Sequence, residues 1–324
     1  MATTASVVRG PRAQGRVLGY LERLKTGDEI VRLIALVAAS TIIGITVLVV
    51  WNLWTASSLT REKLGWSFFI NSTWDPNTDQ YGALPYIYGT TVTSLVALLI
   101  AVPLGVGAAI FLAELAPPRL SDALTFLIEL LAAVPSVIFG LIGIFLLVPV
   151  LESSVVPALK KVSWFLPFFQ GPFYGVSVFT ASIVLALMIV PFIISVSREV
   201  LLAVPRDLRE AALAVGATKW ESTWQVVVPY ARAGIFGSIF LALARALGET
   251  MAVTMVIGNT PNIKAALLAP GYSIAAKIAN EFGEAHGQVL SALVELGLVL
   301  FALTVVINGA ARLLILLTTA KGTT

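Results

Sequence analysis

The sequence predicts an all-α membrane protein with six transmembrane helices. Three observations carry that expectation. Of 324 residues, 58% are hydrophobic and only 12% charged, with a mean hydropathy of +0.92. Soluble domains average about 25% charged residues. Six segments, roughly 30–54, 87–114, 121–150, 174–197, 232–257 and 288–317, supply the ~20 mostly apolar residues a membrane helix needs. Their apolar runs are long and continuous, whereas a barrel strand alternates over about ten residues. The chain therefore divides into a tail, 1–29, and a six-helix domain, 30–324. Cysteine is absent and histidine occurs once, as His286, which argues against thiolate and His-rich metal sites. The lipid bilayer is the expected surrounding, and no nucleic-acid partner is expected.

In the tail, "RVLGYLERLK" (16–25) places Val17, Leu18, Leu21 and Leu24 on one helical face. That face suits the membrane surface, and an ordinary juxtamembrane tail fits equally well. The first span follows basic residues, as a signal peptide does. Its apolar core, Leu33 to Val50 and beyond, exceeds the 7–15 residues of a signal h-region, so it reads as a retained anchor.

Loop charges set the orientation. The tail holds Arg9, Arg12, Arg16, Arg23, Lys25 and Arg32. On the same side fall Arg119, then Arg198, Arg206, Arg209, Lys219 and Arg232, then Arg312 and Lys321, fourteen in all. The opposite side holds six: Arg61, Lys63, Lys160, Lys161, Lys264 and Lys277. The fourteen-charge side, with both termini, is expected to be cytoplasmic. Trp51, Trp54, Trp66, Trp74 and Trp164 fall near the outer ends, as an interfacial belt does.

Between the first and second spans lies 55–86, and between the fifth and sixth lies 258–287. Both are long enough to receive a protein partner. The second span opens with Thr90, Thr91, Thr93 and Ser94. Hydroxyls there can bind oxyanion oxygens, or bond their own helix backbone. Gly105 and Gly107 allow close helix contact. In the third span, Pro135-Ser136 predicts a kink that lets the helix line a cavity. Glu129 lies about 12 Å into that span by helical rise, where it can pair with Arg245 or with a partner subunit, and a helix-packing role fits equally well. Glu295 in the sixth span reads as a packing residue.

The loop 198–231 contains "VPRDLREAALAVGATKWESTWQVVVP" (204–229). Pro205 suits a helix start, with Asp207 and Glu210 complementing its positive end. Gly216 sits where a left-handed residue ends a helix. Thr218 to Glu221 is a capping box opening a second helix, which Pro229 is expected to stop.

The fifth span holds two full charges, Arg245 and Glu249. With Arg245 at the middle of 233–257, about 18 Å of helix lies on either side. Its stem cannot snorkel that far. Each charge costs on the order of 3 kcal/mol or more at the bilayer centre. Four residues apart, the two share a face and can pair. A packing ion pair is one reading, though such pairs rarely add stability over apolar residues. In the other, Arg245 faces an aqueous path and attracts an anion through its planar fork of donors, which Glu249 orients.

Two resemblances bear on these readings. Glu210-Ala211-Ala212, three residues, Gly216, nine residues, then Val226, Val228 and Pro229 resembles the EAA loop of ABC importer permeases. "RALGETMAVTMVIGN" (245–259), "FLAELAPPRLSD" (111–122), "IELLAAVPSVIFGLIG" (128–143) and "GALPYIYGTTVTSLVALLIAVPLGVG" (82–107) resemble the C-type permease subunit of phosphate-specific ABC transporters (PstC), in that family's order. The resemblance implies a type I ABC importer permease fold in a bacterial cell membrane. It implies import of phosphate beside an A-type permease subunit, two cytoplasmic ATP-binding subunits and an extracytoplasmic phosphate-binding protein. Glu210, Ala211, Ala212, Gly216 and Pro229 are then the ATPase-coupling residues. Arg245, Glu249, Glu129, Ser136, Thr91 and Ser94 are the substrate-path candidates. The chain itself is not expected to be an enzyme or to bind a cofactor. It has no Gly-Lys pair and hence no P-loop, so ATP and Mg belong to the partner ATPase. A permease for another oxyanion, and an ATP-independent secondary transporter using Arg245 and Glu249 as a proton relay, are the alternatives.

Overall fold

The computed structural model describes residues 28–162 and 167–319. Two packing units divide the chain, Met1–Thr55 and Ala56–Thr324. The first contributes α1 (Asp28–Ala56), apolar along most of its length. Its Thr41 and Thr46 hydroxyls donate to the carbonyls of Val37 and Ile42, at 2.8 and 2.9 Å. Both hydroxyls are thereby satisfied within the helix, as hydrocarbon requires. The surface helix expected over 16–25 and Trp164 lie outside the described residues.

The second unit opens with α2 (Ser58–Leu64), α3 (Ser67–Ile70) and a small antiparallel hairpin. Strand β1 (Trp74–Asp75) pairs with β2 (Gln80–Tyr81), Trp74 opposite Tyr81. Helices follow: α4 (Leu84–Leu115), α5 (Pro118–Ala132), α6 (Ser136–Lys161), α7 (Val178–Leu202), α8 (Arg206–Ala214), α9 (Lys219–Leu247), α10 (Met251–Val256), α11 (Ile274–Glu281) and α12 (Gly287–Thr319). Among the described residues, six helices are long and apolar enough to cross a membrane, within α1, α4, α6, α7, α9 and α12. The chain is an all-α, multi-pass membrane protein.

Helix α7 is the centre of the unit. It buries 67% of its most apolar window, against 33% or less for the other five. Ala97, Ala101 and Gly105 recur every fourth residue on α4 and so form one small-residue stripe. The alanines join the buried cluster containing Ile189 and Ile193 of α7. A Cβ at Gly105 would stand 2.7 Å from Ile193 Cγ2. Small side chains let two membrane helices approach closely where lipid supplies no hydrophobic drive.

Two predicted spans are discontinuous. The expected kink at Pro135 is a complete break: α5 ends at Ala132, Pro135 is extended (φ −58°, ψ 140°), and α6 starts at Ser136. Proline lacks the amide donor and disfavours helical geometry at Val134, and two effects on adjacent residues end the helix rather than bend it. The fifth span also breaks, at Gly248–Thr250, between α9 and α10. Conversely, Pro229 does not stop a helix. It lies inside α9, just after a π-helical turn, Thr223–Val227. The widened turn closes with the Val228 amide donating to Thr223 O, and it gives the following proline ring room against the preceding turn.

At the hairpin end, polar side chains knit the helices together. Glu295 of α12 accepts from Arg61 Nη1 of α2 at 3.1 Å, and the Thr60 hydroxyl meets Ser291 Oγ at 2.9 Å. The packing role read for Glu295 is thus carried by an ion pair. Lys277 of α11, counted among the six charges opposite the termini, is only 4% exposed. Its ammonium lies 4.4 Å from the Trp74 ring centroid and 5.5 Å from those of Tyr86 and Tyr272, and it pairs with Glu281. Burial pulls its pKa below the ordinary lysine value, and Glu281 opposes that pull. Trp74, read as part of an interfacial belt, instead packs edge-on against Tyr81 and Tyr86 in this box.

Candidate functional site

Both breaks fall beside one another. Gly140, one turn into α6, packs on Ala252 and Met255 of α10, where a Cβ would meet the Met255 sulfur at 2.6 Å. Gly143, three residues on, packs on Val184 of α7 and Val256 of α10. Non-helical backbone at membrane depth persists only where protein buries it or where it lines a water-filled cavity.

Arg245 is in the last turn of α9, not at the centre of an unbroken helix. It is exposed on the chain's surface, with its guanidinium carbon 5.9 Å from the Phe192 ring centroid of α7. Glu249 is half-buried in the break itself. The two do not pair. Among the described residues the ion pairs are Arg61–Glu295, Lys63–Asp79, Arg198–Glu199, Arg209–Glu114 and Lys277–Glu281. The i,i+4 expectation needed a continuous helix, and Gly248–Thr250 removes it. Instead, Glu249 Oε1 accepts from the Ala252 amide at 3.1 Å and caps α10. That contact satisfies an otherwise orphan helix amide and leaves Arg245 free of any carboxylate among the described residues.

Behind Glu249 is a narrow cleft with Thr90, Thr93, Ser94, Ala246 and Ser273 among its walls. Three hydroxyls of α4 and one carboxylate thus converge. Thr90 Oγ1 accepts from the Ile274 amide at 2.9 Å, so it is spoken for. Thr91, singled out from the sequence, donates to Ile87 O of its own helix at 2.8 Å and does not line the cleft. Thr93 Oγ1 is buried without a partner. Ser94 is 2% exposed and does line it. Ser136 is half-buried at the first residue of α6, beside the other break. Glu129 is exposed near the end of α5, outside the candidate membrane spans because Pro135 separates α5 from α6, and it forms no ion pair with Arg245 or any other described residue.

The 204–229 segment sits at the opposite end of α4 and α7. Helix α8 ends at a left-handed glycine, Gly216 (φ +91°). The Gly216 amide donates to Leu213 O and the Ala217 amide to Ala212 O, which satisfies two last carbonyls. The expected capping box is present: Thr218 N donates to Glu221 Oε2 at 2.8 Å, and Glu221 N to Thr218 Oγ1 at 3.3 Å. It starts α9, so α9 runs unbroken from this loop to Arg245. Glu210 and Ala211 are exposed and Ala212 is half-buried. Val215, 85% exposed, and Trp220, 57% exposed, add an apolar patch. The segment thus presents small, acidic and apolar groups on the chain's surface.

Residues 101–316 match the family described as binding-protein-dependent transport system inner membrane component. The chain is 50% identical over 256 residues to the phosphate transport system permease protein PstC of Xylella fastidiosa, covering 78% of this chain and 79% of that one. It is 47% identical over 270 residues to the same-named protein of Mesorhizobium japonicum, covering 82% and 83%. With that of Pasteurella multocida the identity is 48% over 261 residues, covering 79% and 81%.

Proposed function

The chain belongs to the PstC-type permease subunits of ABC phosphate importers, within the binding-protein-dependent inner membrane components, and from that premise we propose how its residues move phosphate. The observation that carries the reading is one continuous helix, α9, with the exposed helix α8 leading into its start and, at its break, an arginine that has no ion pair among the described residues.

In this proposal the α8 end is cytoplasmic, as are both termini, in a bacterial cell membrane. Glu210, Ala211, Ala212 and Gly216 form the surface that enters a cleft of the ATPase, two copies of which serve this chain and an A-type permease partner. Pro229, with its π turn, keeps α9 helical just above that surface. At the hairpin end, the box around Lys277 holds the surface that meets a phosphate-laden binding protein. Phosphate then crosses between the two permease chains. Arg245 offers the anion a guanidinium fork matched to phosphate oxygens. Glu249, fixed as a helix cap, limits how tightly that charge holds the anion. Thr93, Ser94 and Ser136 supply hydroxyls near it. Thr91, bonded to its own helix, and Glu129, on the surface of α5, serve packing or the partner chain in this scheme. ATP binding pulls α8, and the helices that end beside it tilt, so the break opens to one side and then the other.

The test is reconstitution of both permease chains, the ATPase and the binding protein in vesicles. Labelled phosphate is expected to accumulate only with ATP on the α8 side and loaded binding protein on the other. Accumulation driven by a proton gradient without ATP would favour a secondary transporter. Sulfate accumulating as readily as phosphate would favour a general oxyanion permease.

A further inference from the structure

The docking surface connects to the path in a second way, through Arg209. This side chain points from α8 into the bundle and is only 20% exposed. Its Nη2 donates to Glu114 Oε1 at 2.8 Å and to Leu201 O at 2.7 Å. Its Nε lies 3.3 Å from each Glu114 carboxylate oxygen, and Nη1 donates to Val204 O. One guanidinium thus joins three elements: α8, the last turn of α4, and the C-terminal end of α7. Leu201 O belongs to the last turn of α7, whose carbonyls find no amide donor within the helix. Glu114 is 10% exposed and lies in the π turn, Phe111–Leu115, that closes α4. A planar fork holds several acceptors in fixed directions, as a lysine ammonium does not.

Farther along, α4 and α7 both meet the path, α4 toward its other end and α7 near its middle. Thr93 and Ser94 of α4 line the cleft beside Glu249, and Phe192 of α7 lies under Arg245. We infer that Arg209 is a positioning residue of the transport cycle: it fastens the docking helix to α4 and α7, so that movement of α8 is passed to both walls of the path and not to α9 alone. Without it, α8 can shift against the bundle, and ATP hydrolysis proceeds with the path unmoved. The inference rests on the proposal that α8 docks on the ATPase.

The experiment uses the complete reconstituted complex and reads phosphate imported per ATP hydrolysed. The variants are Arg209→Gln, Glu114→Gln, their double, and Arg209→Lys. Arg209→Gln is expected to keep assembly and basal hydrolysis and to lose at least about fivefold in imported phosphate per ATP, the lower range of coupling between sites. Glu114→Gln should lose less, since the carbonyl contacts of Arg209 remain. The double should equal Arg209→Gln alone, because both remove one contact. Arg209→Lys, with charge but no fork, should not restore the ratio. An unchanged ratio in Arg209→Gln, or single losses that multiply in the double, overturns the inference. If Arg209→Gln does not assemble, Glu114→Gln carries the same expectation: an unchanged ratio there, in an assembled complex, is equally fatal. Failure of the wild-type complex to couple ATP to phosphate would instead refute the functional proposal.

Discussion

Arg245→Gln is expected to abolish phosphate uptake while the complex still assembles and hydrolyses ATP at its basal rate. Glutamine keeps polarity and most of the length but removes the charge and the fork. Arg245 lies at the end of α9, exposed on this chain and without an ion pair among the described residues, so its removal strands no carboxylate. Folding should therefore be nearly indifferent to the change. The anion, by contrast, loses its charged partner in a low-dielectric passage, where one donor aimed at developing or moving negative charge is worth about a hundredfold. Uptake of labelled phosphate in cells lacking other phosphate importers measures it. Glu249→Gln should be milder, because an amide oxygen still caps the Ala252 amide. Wild-type uptake in Arg245→Gln would mean that the arginine serves packing against the partner chain.

Gly89→Val is expected to prevent stable folding of the second unit. A Cβ at Gly89 would stand 2.1 Å from Tyr272 O and 2.8 Å from Tyr272 C, and backbone cannot swing aside as a side-chain tip can. The next residue fixes the same contact from α4, since Thr90 Oγ1 accepts from the Ile274 amide. Together they seat α4 against the segment that leads into α11 and holds Tyr272 in the Lys277 box. Overpacking costs about 1–3 kcal/mol where neighbours can adjust, and here a β-branched side chain meets main chain. Against a typical stability of about 5–15 kcal/mol, the loss should appear as poor accumulation in the membrane and a lower unfolding temperature in detergent. Gly89→Ala should show the same defect in smaller degree. Normal accumulation of Gly89→Val would show that α4 and the 272–274 segment can separate freely.

Features set by local chemistry were legible in the sequence. Hydropathy alone counted six spans, because each helix must satisfy its own backbone in hydrocarbon, but it set the third at 121–150 and the fifth at 232–257, where the spanning helices are Ser136–Lys161 and Lys219–Leu247. The Gly216 cap and the Thr218–Glu221 box were legible because both are built from residues within one helical turn. The breaks were read only in part. Pro135 announced itself, but a kink and a full stop carry the same residue, and what differs is the packing of Gly140 and Gly143 on α10. The Gly248–Thr250 break had no proline to mark it, so Arg245 and Glu249 were expected on one helical face. Pro229 misled because π turns leave no pattern in composition. Arg209 and Glu114 are 95 residues apart, and the Lys277 box joins Trp74 and Tyr86 to a helix near the other end of the chain. Contacts of that range depend on how helices lie beside one another. The signals that could have raised them were modest: an arginine just before Glu210, a glutamate where the second span ends, and aromatics on both sides of the same membrane face.

If the α9–α10 break lines a water-filled path open to each side in turn, a residue within it is reachable from water on each side in turn. The chain has no cysteine, so Glu249→Cys introduces its sole thiol. The direct measurement is the rate at which a charged, membrane-impermeant thiol reagent labels that cysteine from each side of reconstituted vesicles. It is made on the assembled complex, with the ATPase empty and with ATP trapped. Labelling from one side in the first state and from the other side in the second is the predicted result. A cysteine that neither side can label in either state would place Glu249 in packed protein or lipid, and would contradict the claim.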